Sequence, residues 1–417
     1  MKRILMVAYH FPPIQESSGM HRTVHFSRYL PEHGWEPTVL TVSPRAYRQT
    51  SPDNPADILE SVRVVRAPAL DTSRHLSLFG YHPLLLALPD SWSSWYLPGV
   101  LAGLKLIRRL GPEILWSTFP IATAHLIALT LHRLTGIPWI ADFRDSMTEN
   151  GYPSPRLKWN FHRWLERQVI RRCTRAVFTT SGAKAMYAQR YPGIAEERWI
   201  LLENGYDEND FVAAEALAAT RTDPSEQIVL VHSGVIYPRE RDPLALFSTL
   251  GKLRSSSEIS PKEIKVILRA SGHETYLRKH ILEYGLDDIV FLEPSLPYRM
   301  ALSEMISADA LLLLQGSSCN HQVPAKLYEY LRSRRPILAL TDPSGDTAAV
   351  LRDAGIQSIV PLDSSDQIAA YLPGFLSACR KGTAEIARPE VIAKHSRRLR
   401  TRELAALLDS VCNQLPK

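Results

Sequence analysis

The chain has 417 residues, 45% apolar and 22% charged, with 49 Lys and Arg against 43 Asp and Glu for a net charge of +6. That length fits two or three domains at roughly 150 residues each, and the apolar share excludes a disordered chain, which lacks the apolar surface to offset its ordering entropy. The mild positive excess suits an anionic ligand or an acidic membrane surface and does not call for nucleic acid.

The apolar run at the start of the chain is too short for a signal-peptide core, and no run approaches the roughly 18–20 apolar residues of a membrane span. The four cysteines, Cys173, Cys319, Cys379 and Cys412, form no CxxC pair, and their wide spacing fits neither a zinc site nor a disulfide framework. The expected compartment is therefore the reducing cytoplasm. In chain order, short β-rich runs at 4–8, 37–42, 62–67, 114–117, 139–141 and 176–179 read as strands, with helix-length segments at 22–33, 98–110 and 121–135 among them. Near-continuous apolar strands alternating with helices predict a parallel sheet covered on both faces. After the turn dipeptide Asn204-Gly205 and a polar stretch, the pattern restarts with strands at 228–232, 264–270, 289–291, 310–314, 337–339 and 358–360. The expected organisation is α/β, with one Rossmann-like domain over 1–212, a hinge near 210–226, a second such domain over 213–390, and a helix over 391–417 that returns to the first.

Several chemistries lack their signatures. There is no GxGxxG after the first strand, no GxxxxGK[ST] loop, no HExxH, no GxSxG and no Asp-x-Asp. Two open α/β domains would instead offer a cleft where the carboxyl ends of their strands meet.

The segment from His321 to Leu338 is the most informative. Pro324 suits the first turn of a helix, so the amides around Val323, Ala325 and Lys326 would form an N-terminus able to hold a diphosphate. Lys326 adds a full charge, and Glu329 lies three residues on, able to accept two ribose hydroxyls. The plainer reading is a surface helix with an ordinary Lys–Glu pair. In 232–243, Gly234 allows close backbone approach while Arg239 and Arg241 supply planar phosphate-binding forks, or else pair with Glu240 and Asp242. In the loop after the first strand, His10, Gly19 and Arg22 stand at a strand end, either facing a ligand or as a turn His, a helix-start Gly and a solvated Arg. The strand at 139 runs into Asp142-Phe-Arg-Asp145. Asp142 reads as bracing, Arg144 as its partner or a phosphate ligand, and Asp145 as able to orient a hydroxyl. Residues 155–175 carry seven basic side chains against the single acid Glu166. With Leu157, Phe161, Trp164 and Leu165 at helical spacing, they read as a helix packed into the first domain or lying on anionic lipid.

Taken in order, these segments resemble the retaining GT-B glycosyltransferases of family four, in particular a bacterial subgroup with an Asp-Phe-Arg-Asp run. Glu329 matches the second Glu of that family's paired-Glu signature, which binds the nucleotide ribose. Arg335-Pro336-Ile337-Leu338 matches the strand that follows it. His321 stands where the first Glu contacts the donor sugar, and Val235 where an Arg follows the glycine. The resemblance implies a GT-B fold, two Rossmann-like parallel-sheet domains facing each other across a cleft. It also implies transfer of a sugar from a nucleoside-diphosphate sugar to a hydroxyl of a glycan or lipid-linked glycan, with retention, in cell-surface polysaccharide or glycoconjugate synthesis. Arg241, Lys326 and Asp145 would do the chemistry. Gly19, Gly234, Arg239, His321, Val323, Ala325 and Glu329 would hold the donor, with no metal and no resident cofactor. An anionic membrane surface met through 155–175 would make the location peripheral on the inner face of the cell membrane. An epimerase of the same fold, or a binding partner without turnover, are the alternatives.

Overall fold

The computed structural model describes residues 1–14, 18–50, 62–77, 79, 81–218 and 227–414. Residues 15–17 of the first loop and 219–226 of the expected hinge lie outside them. The chain forms two compact units, one of Met1–Asn204 with Arg397–Lys417, the other of Gly205–Ser396.

The first unit is built on a seven-stranded parallel sheet: β1 (Lys2–Val7), β2 (Trp35–Val42), β3 (Arg63–Ala67), β4 (Ile114–Thr118), β5 (Trp139–Phe143), β6 (Arg175–Phe178) and β7 (Trp199–Leu201), in the order β3-β2-β1-β4-β5-β6-β7. Its helices are α1 (Ser18–Tyr29), α2 (Thr72–His75), α3 (Tyr96–Leu110), α4 (Ala122–Thr135), α5 (Arg156–Arg172) and α6 (Ser181–Arg190). Side chains alternate across the strands, so two cores form. Leu5 and Val7 of β1 join the core that holds Val100, Ile127, Val169 and Tyr187 of α3 to α6. Ile4 and Met6 join the core that holds Val24 of α1. The three-residue strand β7, absent from the sequence reading, closes the sheet beside β6.

The second unit opens with α7 (Glu208–Glu215) and carries a six-stranded parallel sheet: β8 (Ile228–Ser233), β9 (Ile264–Arg269), β10 (Val290–Glu293), β11 (Ala310–Gln315), β12 (Ile337–Thr341) and β13 (Ile359–Val360), in the order β10-β9-β8-β11-β12-β13. The helices α8 (Leu244–Ser255), α9 (Glu274–Glu283), α10 (Tyr298–Ser307), α11 (Lys326–Ser333), α12 (Asp346–Asp353), α13 (Ser365–Arg380) and α14 (Pro389–Lys394) flank it. Residues 205–215 belong to this unit because α7 packs on α10 and Arg332 of α11 pairs with both Glu208 and Glu215. The Tyr206 amide also bonds the His395 carbonyl. The last helix, α15 (Arg397–Asn413), packs on α1 in the first unit, with Leu404, Leu408 and Val411 in the same core as Val24.

Each sheet has one point where successive connections leave in opposite directions, between β1 and β4 in the first unit and between β8 and β11 in the second. Open parallel sheets bind ligands beyond the strand ends at such points.

Candidate functional site

In the second unit the end of β8, the loop after it, the end of β11 and the start of α11 meet at this switch point. Gly234 follows β8 with φ +110°, a backbone state that disfavours any side chain. A Cβ there would lie 2.9 Å from Lys326 Nζ, so the glycine makes room for the ammonium. Gly234→Ala is expected to lower the melting temperature and to displace Lys326, read as weaker pyrophosphate binding in a calorimetric titration.

Lys326 Nζ lies 3.1 Å from Nε2 of His232, the fifth residue of β8. The other ring nitrogen, Nδ1, is 2.9 Å from the Leu312 carbonyl and donates to it. Nε2 is therefore the unprotonated nitrogen and accepts from the ammonium. Burial, then Lys326 and Arg241, push the His232 pKa well down, which keeps the ring neutral. Burial and then Arg241 also push Lys326 down, to about 7, with Glu329 opposing. Arg241 is aimed by Gln315 at the end of β11, its Nε donating to Oε1 at 3.0 Å. Tyr330 of α11 accepts the Ser233 amide at 2.9 Å, fastening the β8 end to the helix.

Glu329 is buried, and one carboxylate oxygen accepts the Tyr298 hydroxyl at 2.7 Å. It is held by α10. No side chain caps α11, whose first residue is Lys326, so its terminal amides add positive potential beside Lys326 and Arg241. Two cations, an uncapped helix start and a carboxylate thus share one strand-end region. That arrangement can bind a diphosphate and hydroxyls.

The remaining residues expected from the sequence to hold a donor are placed differently. The Val323 side chain is buried with Leu313 and Leu327, leaving only its backbone for a ligand. Ala325 is the cap residue of α11. Arg239 is exposed and opens on a neighbouring pocket with Gly316, Ser317 and Asp342, apart from Lys326. Among the described residues neither Arg239 nor Arg241 enters the ion pairs with Glu240 or Asp242 that the sequence left open; Asp242 accepts from Tyr276 instead. His321 is exposed, in the turn before α11.

In the first unit, Gly19 lies in the first turn of α1. A Cβ there would meet Arg144 Nη2 and His10 Nδ1, each at 3.1 Å. Arg144 donates to the carbonyls of Gly19 (2.7 Å) and Phe119 (2.6 Å), while its buried Nη2 finds no partner among the described residues. Burial, and then Arg144, push His10 down to about 3, so the ring is neutral. Asp142 pairs with Arg22 rather than with Arg144. The Arg22 Nη2 to Oδ1 distance is 2.9 Å, both side chains are buried, and Thr118 donates to Oδ2. Arg22 is thus a structural cation and not a solvated one. Asp145 is exposed one residue beyond Arg144.

The basic helix α5 divides its apolar set. Leu165 is fully buried and Phe161 packs against that core, while Leu157 and Trp164 are each 48% exposed. Its one acid, Glu166, is buried and accepts from Arg163, Arg190, Thr148, Tyr187 and Tyr191. Among the described residues no group of three or more His, Cys, Asp or Glu is placed to hold a metal ion, and no helix is long and apolar enough to cross a membrane.

Residues 18–205 match the family model for the glycosyl transferase 4-like domain. That segment is most of the first unit. No curated protein matches the chain. Among solved structures, Anabaena HepE in complex with UDP and glucose is 13% identical, with 98% of this chain and 100% of that one covered and a TM-score of 0.68. Sucrose-phosphate synthase from Thermosynechococcus elongatus is 13% identical over 100% of both chains, with a TM-score of 0.70. Trehalose 6-phosphate synthase from Burkholderia multivorans is 14% identical, covering 99% of this chain and 97% of that one, with a TM-score of 0.66. At such identities the likeness establishes the fold, which is GT-B, with two Rossmann-like parallel-sheet domains.

Sequence reasoning reached Gly234, Arg241, Lys326 and Glu329 but missed the groups that aim them: His232, Gln315, Tyr298 and Tyr330. A polar residue at or next to the end of a buried apolar strand, as Gln315 and His232 are, was the available signal.

Proposed function

We propose that this protein is a glycosyltransferase using a nucleoside-diphosphate sugar, and that the second unit holds the donor. The observation that carries the reading is the cluster of Lys326, Arg241 and Gly234 at the β8–β11 switch point, with Glu329 on the same helix as Lys326. Lys326 and Arg241 would stabilise the diphosphate as the bond to the sugar C1 breaks and the electron pair leaves with the phosphate oxygen. Glu329 would accept the ribose hydroxyls. By the family resemblance, the acceptor hydroxyl attacks C1 from the leaving-group side, giving retention without a protein nucleophile or a metal, and the hydroxyl belongs to a glycan or lipid-linked glycan. Asp145 would orient it.

The test is thermal unfolding against a panel of nucleoside diphosphates and their sugars, with UDP first because the HepE structure contains it. A diphosphate at about 100 times its dissociation constant should stabilise the wild type by roughly 2.7 kcal/mol. Glu329→Ala should lose most of that shift while keeping a cooperative transition of its own. Absence of stabilisation by every nucleotide would remove the donor-site reading.

A further inference from the structure

The surface of the first unit formed by α3, α4 and α5 is unlike the rest of the molecule. The three helices lie side by side on one face of the sheet. Their C-termini connect through 111–113, 136–138 and 173–174 into the neighbouring strands β4, β5 and β6, so all three C-terminal ends lie along one edge. On α3 the residues pointing directly away from the core are Leu97, Leu101, Lys105 and Arg108. The two leucines are 62% and 59% exposed. On α5 the corresponding stripe is Leu157, Trp164, Arg167 and Arg171. The α3 stripe runs from apolar at the helix start to cationic at its end; the α5 stripe ends in cations likewise, with Arg156 and Asn160 exposed beside its apolar residues. Arg109 and Arg133 are exposed at the same edge.

Charge distinguishes this face. The helices α3 and α4 contain no acid, and the single acid of α5, Glu166, is turned into the interior. Among the described residues no ion pair involves Lys105, Arg108, Arg109, Arg133, Arg167 or Arg171. Elsewhere on the surface, arginines pair with acids, as Arg398 does with Glu32 and Arg254 with Asp288. A second copy of the chain is a poor occupant, because a two-fold contact would set the same cations against themselves. Exposed leucines and a tryptophan above a cationic belt match a bilayer boundary, with apolar side chains at the acyl edge and cations among anionic headgroups.

We propose that the outer face of α3–α5 binds the surface of a membrane containing anionic phospholipid. The sequence pointed to 155–175 with Arg108 and Arg109 added; the structure extends that surface to the exposed Leu97, Leu101 and Lys105 of α3. It stands on observations independent of the donor site.

The test is co-flotation of the intact protein with vesicles of phosphatidylcholine alone or mixed with phosphatidylglycerol. Binding is expected to the mixed vesicles only, and to weaken as salt is raised. The Arg108→Ser/Arg109→Ser variant should bind roughly 30-fold more weakly and the Leu97→Ser/Leu101→Ser variant roughly tenfold more weakly, and Trp164→Ser on α5 should weaken binding independently. All these side chains are exposed, and an unchanged melting temperature would show that each fold is kept. Equal binding to neutral vesicles, or variants that bind like the wild type, would overturn the proposal. So would a concentration-dependent dimer in sedimentation that is lost in the leucine variant.

Discussion

Lys326→Met is expected to weaken nucleoside-diphosphate binding by about 10- to 100-fold, the value of a lost charge-assisted hydrogen bond, and to raise the melting temperature of the unliganded protein below pH 7. The two effects share one cause. Lys326 is held at about 7 by burial and by Arg241, against an ordinary value of 10.5. Below pH 7 the folded and unfolded chains both carry the proton, and the folded chain bears a desolvated ammonium facing another cation. Between about 7 and the unfolded value, the unfolded chain holds the proton and the folded chain does not, so stability rises with pH across that window. Methionine removes the buried charge and keeps the stem, so the variant should gain stability at low pH and lack this pH dependence.

A bound diphosphate reverses the balance by setting anionic charge against both Lys326 and Arg241, which the single carboxylate of Glu329 does not offset. Binding above pH 7 must then raise the Lys326 pKa and take up a proton. Calorimetric titration of the wild type in buffers of different ionisation enthalpy should show that uptake near pH 8, and Lys326→Met should not. His232 does not supply the proton, since its Nδ1 is committed to Leu312 and its ring is kept neutral. If the variant bound as tightly as the wild type, with no change in proton uptake, Lys326 would be a structural lysine and the diphosphate would lie elsewhere.

The strands were legible because buried parallel strands are apolar throughout, as in Leu311–Leu314, and a run of that kind needs no partner to be recognised. The strand β7 was not, since three residues at a sheet edge, one of them exposed, carry little pattern. The start of α1 was read four residues late, at Arg22, because Ser18 to His21 contains no apolar repeat. The candidate donor residues were legible from spacing within two short segments, 232–243 and 321–338. Their partners were not, because a parallel sheet joins residues far apart in the chain. His232 meets Lys326 across 94 positions, and Gln315 meets Arg241 across 74. The same limit governed Asp142, whose nearest basic residue in sequence, Arg144, turns to the carbonyls of Gly19 and Phe119, while Arg22, 120 positions away, takes the carboxylate.

That pairing makes Asp142→Ala the substitution with the largest expected effect on stability. Asp142 is fully buried and receives Arg22 through both Nε and Nη2, with Thr118 completing its oxygens. Arg22 also donates to the carbonyls of Leu202 and Glu203, so the guanidinium ties α1 and β5 to the last residues before the chain leaves the first unit. Removing the carboxylate leaves a buried cation with carbonyl partners but no counter-charge, which costs about 3–5 kcal/mol. At roughly 2–4 °C per kcal/mol for a domain of this size, the first unit should melt about 10 °C lower. The second unit contains neither partner, so its own transition should stay in place while that of the first unit moves down. Arg22→Met combined with Asp142→Leu removes both charges and should cost clearly less than the sum of the two single changes. A double variant no better than that sum would mean that packing at the two positions, rather than the uncompensated charge, sets the cost. A shift below about 2 °C in Asp142→Ala would mean that water reaches Arg22 and that the pair does not hold the unit together.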